Sequence, residues 1–172
     1  MQAAYSDIRN EMSDLAEEVG RLGTSLARHP DLTGLDEIEI WERTHFLASA
    51  TEKVYTGCER VMSRITIDVD GEPIAHGDGW HVGLLKRMSH PIADRRGSVI
   101  GPDVYSKLDR LRSFRHRERN SYGIQLDPGI VLERAKEAVV AFDGFRSDVE
   151  QFLDQVSARP DEAQDGPSAP RG

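Results

Sequence analysis

Residues 36–67 read DEIEIWERTHFLASATEKVYTGCERVMSRITI, and this stretch predicts the longest helix of the fold. Its apolar and small side chains recur at alternating steps of four and three residues, which places them on one face of an α-helix. The residues on this face are Ile40, Thr44, Leu47, Thr51, Val54, Cys58, Val61 and Ile65. Asp36 has a side chain of the type that caps a helix N-terminus. A long helix with one apolar face requires other helices to cover it.

Four further helices are predicted from the same periodicity, over about 4–28, 80–88, 103–122 and 128–156. Asp78 is a candidate N-cap for the short helix, Gly123 suits a helix C-terminus, and Asp127 before Pro128 suits a helix start. Loops are expected over 68–79 and 91–102, and no β-alternation is visible. The sequence therefore predicts an all-α antiparallel up-down bundle of four long helices and one short helix.

The 172 residues fit one domain, which we place at 1–156, followed by a disordered tail at 157–172 that has little to bury. The single cysteine, Cys58, excludes an internal disulfide. No apolar run approaches the length of a membrane span, and the first residues lack the basic and apolar pattern of a signal peptide. We therefore expect an unanchored cytoplasmic protein.

The net charge of −8 is unevenly distributed along the chain. Residues 86–119 hold ten Lys and Arg against four Asp and Glu, so this segment is basic within an acidic protein. Such a segment can meet a phosphate chain locally, and Lys86, Arg87, Arg95 and Arg96 could widen that surface. A solvated face balanced by acidic neighbours explains the same composition.

The helix that begins near Asp103 carries polar residues where its apolar stripe should continue. In order, the stripe reads Val104, Leu108, Leu111, Arg115, Arg119 and Tyr122. Burying an unpaired arginine costs several kcal/mol, so these arginines must meet carboxylates or line a cleft or a subunit interface. His116 and Asn120 lie on the adjacent face. Arginine binds phosphate oxygens, and histidine moves protons near neutral pH, so the patch suits phosphate chemistry.

The segment FRHRERNSYG at 114–123 resembles the signature of HEPN-type ribonuclease toxins of the HepT-like branch. That motif reads Arg, a polar Asn or His, a few variable residues, His, any residue, and Tyr. Three further segments fit the branch: YTGCE at 55–59, GWHVGLL at 79–85 and YGIQLD at 122–127. The resemblance covers the chain from about residue 40 to 156.

The resemblance implies a helical bundle that pairs as a homodimer and cleaves RNA without a metal or cofactor. In this chemistry the ribose 2′-hydroxyl attacks the phosphorus and a cyclic phosphate forms. Arg115 would stabilise the phosphorane charge, and His116 and Asn120 would complete the catalytic set. Asn120 stands where the family has its general acid/base histidine, and an amide cannot transfer a proton.

The same resemblance implies partners. Tyr122 matches the family tyrosine that a nucleotidyltransferase antitoxin adenylylates, or it contacts RNA, and Arg119 and Arg112 would be RNA-binding cations. The dimer is also expected because a monomer would have to shelter the stripe arginines alone.

Three other interpretations remain open from the sequence. The chain could be a non-catalytic HEPN module that binds a nucleotidyltransferase or a nucleotide. Arg115 and Arg119 could form a salt-bridge network with acidic residues of helix one or two. A metal site could use His76, Asp78, His81 and His90 with Cys58, although His76 and His81 lack the spacing of a helical ligand pair.

Overall fold

The computed structural model describes residues 2–77, 79–120 and 126–158, except for the side chains of residue 2 and residues 116–120. Within these residues the chain forms five helices and no named strand. They are α1 (Gln2–Arg28), α2 (Glu37–Asp68), α3 (Trp80–Ser89), α4 (Pro102–Asn120) and α5 (Pro128–Ser157). The predicted all-α bundle of four long helices and one short helix is confirmed.

The N-terminal caps show how far neighbouring residues determine where each helix begins. Asp36 caps α2 in a reciprocal capping box, in which its side chain accepts from the Glu39 N–H and the Glu39 side chain accepts from the Asp36 N–H. Asp127 caps α5 by accepting from the Ile130 N–H. The N-cap of α3 is Gly79 without a side-chain cap, and Asp78, the predicted cap, lies outside the described residues.

Ion pairs between helices show their relative directions. Along α1 the residue number rises while that of the partner on α2 falls, in the pairs Asp7–Arg64, Glu11–Arg60 and Glu18–Lys53. Arg9 near the start of α1 contacts Asp154 near the end of α5 at 2.9 Å. α1 is therefore antiparallel to α2 and to α5.

The core lies between the apolar stripes of α1, α2, α4 and α5. Stripe residues such as Ile8 on α1, Val54 on α2, Leu108 on α4 and Phe145 on α5 have no exposed surface. Ile40, the first residue of the predicted α2 stripe, is only half-buried. None of the described helices combines the length and hydropathy needed to cross a membrane.

The loop between α3 and α4 is held by a buried arginine. Arg96 is 3% exposed and donates to both carboxylate oxygens of Asp70, which follows α2. Its remaining N–H groups donate to the backbone oxygens of Arg87, His90 and Gly97. The expectation that Arg96 widens an RNA-binding surface is therefore wrong, because its side chain closes the fold.

Candidate functional site

Arg115 of α4 lies against two carboxylates of α2. Its Nε donates to Glu52 Oε1 at 3.2 Å, and its Nη1 donates to Glu59 Oε2 at 3.0 Å. The guanidinium carbon is 6.0 Å from the centre of the Tyr55 ring. The side chain is 13% exposed. Of the arrangements that the sequence leaves open, Arg115 therefore meets acidic residues of helix two.

The carboxylates reach Arg115 because they share a face of α2. Glu52 and Glu59 are seven residues apart, which is about two helical turns. Glu59 is only 4% exposed, and a buried carboxylate is costly unless it is paired and hydrogen-bonded. Arg115 supplies one partner for Glu59, and α3 supplies another.

His81, in the first turn of α3, is the second partner of Glu59. Its Nδ1 forms a short hydrogen bond with Glu59 Oε1. The His81 ring contacts Trp80 edge to face at 4.9 Å, and Trp80 in turn stacks on His76 at 4.5 Å. When Nδ1 of a neutral ring donates to an ionised carboxylate, which only accepts hydrogen bonds, Nε2 carries the lone pair. The His81 side chain is 42% exposed, which leaves the ring accessible to solvent.

Two surface hollows meet at Arg115. One, of about 420 Å³, lies between α2 and α3 and is lined in part by Glu59, Trp80 and His81. The other, of about 590 Å³, lies between α1 and α2 and is lined in part by Glu52. Arg115 lines both hollows, and its side chain keeps 13% of its surface exposed.

The family model described as HepT-like protein matches residues 46–156. The chain belongs to the HepT-like family. The matched range contains the Arg115 site, α3, α4 and most of α2, whereas α1 lies outside it. The all-α bundle is consistent with the HEPN superfamily. No curated protein and no solved structure matches the chain.

The Tyr55 ring lies beneath the Arg115 guanidinium in this HepT-like protein. Its side chain has no exposed surface, and its hydroxyl has no hydrogen-bond partner among the described residues. Burial raises the pKa of Tyr55 above its ordinary value, and the neighbouring Glu59 carboxylate raises it further. Tyr55 is therefore a neutral group at physiological pH.

The other predicted site residues of this HepT-like protein are placed only in part. Arg112 donates from Nε to Asp109 at 2.8 Å and from Nη2 to Ser113 at 3.2 Å, and it lines neither hollow beside Arg115. The side chains of His116, Arg119 and Asn120, and all of Tyr122, lie outside the described part of the chain. Their grouping with Arg115 stays a prediction.

The basic segment at 86–119 is largely neutralised up to Arg115. The cations with a carboxylate partner are Arg87, Arg96, Lys107, Arg110, Arg112 and Arg115. This supports the interpretation of a balanced face for residues 87–115. Most cations between Arg87 and Arg115 therefore have a carboxylate within ion-pair distance.

The candidate metal ligands that the structure describes do not form a common group. Cys58 is fully buried in the core, and burial raises the pKa of its thiol. His81 is engaged with Glu59, while the His90 ring lies against the Lys86 carbonyl oxygen at the end of α3. In the ranges that the structure describes, no three His, Cys, Asp or Glu side chains form a metal-binding group. Asp78 lies outside those ranges.

The sequence did not predict Glu52, Glu59 or the bond that Glu59 makes with His81. One signal was available: Glu59 directly follows Cys58 of the α2 stripe and lies one helical turn from Tyr55 and Met62. A carboxylate in such a position requires a buried partner. Which cations supply that partner depends on how α3 and α4 pack on α2.

Proposed function

We propose that this HepT-like protein is a metal-independent ribonuclease toxin that acts in the cytoplasm. The 2′-hydroxyl of RNA attacks the adjacent phosphorus, and the products carry a cyclic phosphate and a free 5′-hydroxyl. The observation that carries the proposal is the position of Arg115, which opens the family motif and lies where two solvent-reachable hollows meet.

Arg115 is suited to stabilise the charge that develops on the phosphorane. Glu52 and Glu59 use Nε and one hydrogen of Nη1, and the other N–H groups make no hydrogen bond to a side chain that the structure describes. The two carboxylates hold the planar fork in a fixed orientation, which lowers the reorganisation needed in the transition state. The remaining N–H groups can donate to a phosphate oxygen.

The remaining catalytic set comes from residues near the end of α4. His116 and Asn120 complete the site with Arg115, Arg119 and Arg112 contact the RNA backbone, and Tyr122 contacts RNA or accepts an adenylyl group from a nucleotidyltransferase antitoxin. Family membership supports these assignments.

A homodimer completes the cleft in this proposal. Ile38, Trp41 and Phe46 on the first half of α2 are more than half exposed. Large exposed apolar side chains that cluster on a helix are typical of an interaction surface. A Trp41→Glu variant should shift the sedimentation coefficient towards that of the monomer, whereas an unchanged dimer would place the interface elsewhere.

The test of the activity uses purified protein, RNA and a chelator. The wild type should cleave RNA and leave cyclic phosphate ends, and Arg115→Ala should lose this activity. Arg110→Ala is the matched control, because Arg110 lies on the same helix and is paired with Glu137 away from both hollows. Equal cleavage by wild type and Arg115→Ala rejects the proposal.

A second function is favoured by the ion pairs of Arg115. An arginine that already contacts two carboxylates competes less well for phosphate, as expected of a non-catalytic module that binds a nucleotidyltransferase or a nucleotide. Expression in cells separates the two functions. Growth arrest that requires Arg115 supports the toxin, whereas normal growth with tight binding to a co-expressed nucleotidyltransferase supports the module.

A further inference from the structure

We propose that His81 is the proton-transfer residue of the RNA-cleaving site and that Glu59 is its positioning residue. The proposal rests on the ribonuclease function proposed above. It answers a chemical requirement of that function, because Asn120 stands at the motif position of a proton-transfer group and an amide cannot serve there.

Glu59 joins His81 to Arg115 through one carboxylate. Oε1 is bonded to His81 Nδ1, and Oε2 accepts from Arg115 Nη1. The two oxygens of a carboxylate are a fixed distance apart, so a single buried group sets the separation between the imidazole and the guanidinium. A base oriented by a carboxylate beside a charge-stabilising cation is the arrangement that acid–base catalysis requires.

The lone pair of His81 is available to a substrate. Because Nδ1 is held by Glu59, the basic nitrogen is Nε2, which has no hydrogen-bond partner among the described residues. His81 and Arg115 line the same hollow between α2 and α3. A phosphate held at Arg115 therefore places its ribose on the side of the hollow where His81 lies.

The walls of this hollow suit one nucleotide. Trp80 and His76 form a stacked aromatic pair on one side, and a nucleobase can stack on such a surface. Arg60 and Arg64 also line the hollow, where Arg60 lies 4.0 Å from Glu11 and Arg64 lies 3.8 Å from Asp7. At these long distances both arginines can still contact a neighbouring phosphate. The volume of about 420 Å³ is within the range of small-molecule sites.

The reaction step balances without a further reactant. The ribose 2′-O–H bond breaks and its proton moves to His81 Nε2, while the 2′-oxygen forms a bond to phosphorus. The bond from phosphorus to the leaving 5′-oxygen then breaks, and that oxygen takes a proton from solvent water. His81 returns its proton to solvent, and Glu59 stays ionised throughout.

The experiment measures the single-turnover rate of RNA cleavage in chelator for His81→Gln and His81→Ala. Glutamine can still donate to Glu59, so His81→Gln keeps the structural hydrogen bond and removes only proton transfer. Both variants should be slower by about 10²- to 10⁴-fold. Free imidazole should restore part of the activity of His81→Ala, which no purely structural role predicts. His90→Ala, at the C-cap of the same helix and with its ring directed at a backbone oxygen, is the control and should keep the wild-type rate.

The outcomes separate this inference from the function beneath it. Cleavage that requires Arg115 but proceeds at the wild-type rate in His81→Gln overturns the role of His81 and leaves the ribonuclease function in place. A wild type that does not cleave RNA overturns both. Loss of rate in both His81 variants, without imidazole rescue and with reduced thermal stability, assigns His81 a structural role and also overturns the inference.

Discussion

Asp70 and Arg96 form a bidentate ion pair in which both side chains are buried. Arg96 Nε lies 2.5 Å from Asp70 Oδ1, and Nη2 lies 2.9 Å from Oδ2. The pair joins the segment after α2 to the loop after α3, and Arg87 adds a second cation at 3.5 Å from Asp70 Oδ2. α3 thereby has a fixed position on α2, which is the condition for the contact between His81 and Glu59.

Removing one member of this pair should destabilise the fold strongly. Asp70→Ala leaves the Arg96 guanidinium buried without its carboxylate, and such a change costs about 3–5 kcal/mol in the free energy of unfolding. Urea denaturation followed by circular dichroism measures it. The control is Glu150→Ala, which removes a solvent-exposed pair with Arg146 and should change stability by less than about 1 kcal/mol. A loss below about 1 kcal/mol for Asp70→Ala would contradict the prediction.

Gly57 marks a close approach between α1 and α2. A Cβ atom at this position would lie 2.5 Å from Leu15 Cδ1, and Leu15 is itself buried. Gly57→Ala should therefore lower the free energy of unfolding by about 1–3 kcal/mol through overpacking. Gly20→Ala, in open space on α1, should instead raise it by about 0.5–1 kcal/mol. Chemical denaturation should show changes of opposite sign in the free energy of unfolding for the two variants. Changes of the same sign would show that Leu15 and α1 shift to accommodate the added methyl group without loss of stability.

Tyr55 should make the fold sensitive to alkaline pH. Its pKa is raised in the folded state by burial, so above about pH 10 the unfolded chain releases a proton that the folded chain retains. This contribution to stability is complete below that pH and declines by at most about 1.4 kcal/mol per pH unit above it. Tyr55→Phe should remove the decline and, because it deletes one hydroxyl near the Glu59 carboxylate, should cost at most about 0.5–1.5 kcal/mol at neutral pH.

The measurement for Tyr55 is the free energy of unfolding in urea between pH 8 and pH 11. Both proteins should be compared in a Cys58→Ala background, because burial raises the pKa of the Cys58 thiol and would add a slope of the same sign. Identical slopes for the tyrosine and phenylalanine proteins would show that Tyr55 ionises without unfolding.

Glu52→Gln tests whether Arg115 meets phosphate. Glu52 is 29% exposed and partly neutralises Arg115, so removing its charge should leave more of the guanidinium field for an RNA phosphate. RNA affinity should rise by about two- to tenfold at low salt, and the gain should shrink as salt increases. Fluorescence anisotropy with labelled RNA measures it, with Glu150→Gln as the control. Weaker binding by Glu52→Gln would place the phosphate away from Arg115.

The sequence predicted the helices because their signals are local. The α2 capping box spans four neighbouring residues, Asp127 and Pro128 mark the start of α5 within two, and the apolar stripes repeat within one or two turns. The sequence also identified Arg115 as an exception to its stripe. Asp78 and Gly79 show the limit of this reasoning, because loop geometry rather than residue type sets the N-cap of α3.

The sequence by itself determined the all-α class and the helix bounds to within about two residues. It also showed that Arg115 continues the apolar stripe of α4. Only the tertiary structure decided what that charge contacts. Arg115 and Glu59 are 56 residues apart, and His81 and Glu59 are 22 apart, so their contacts depend on the packing register of three helices. Arg96 shows the same limit. In the sequence it belongs to a basic segment, whereas the structure buries it in an ion pair with Asp70. Periodicity assigns a side chain to a helix face, but only helix packing determines which opposite charge lies across from it.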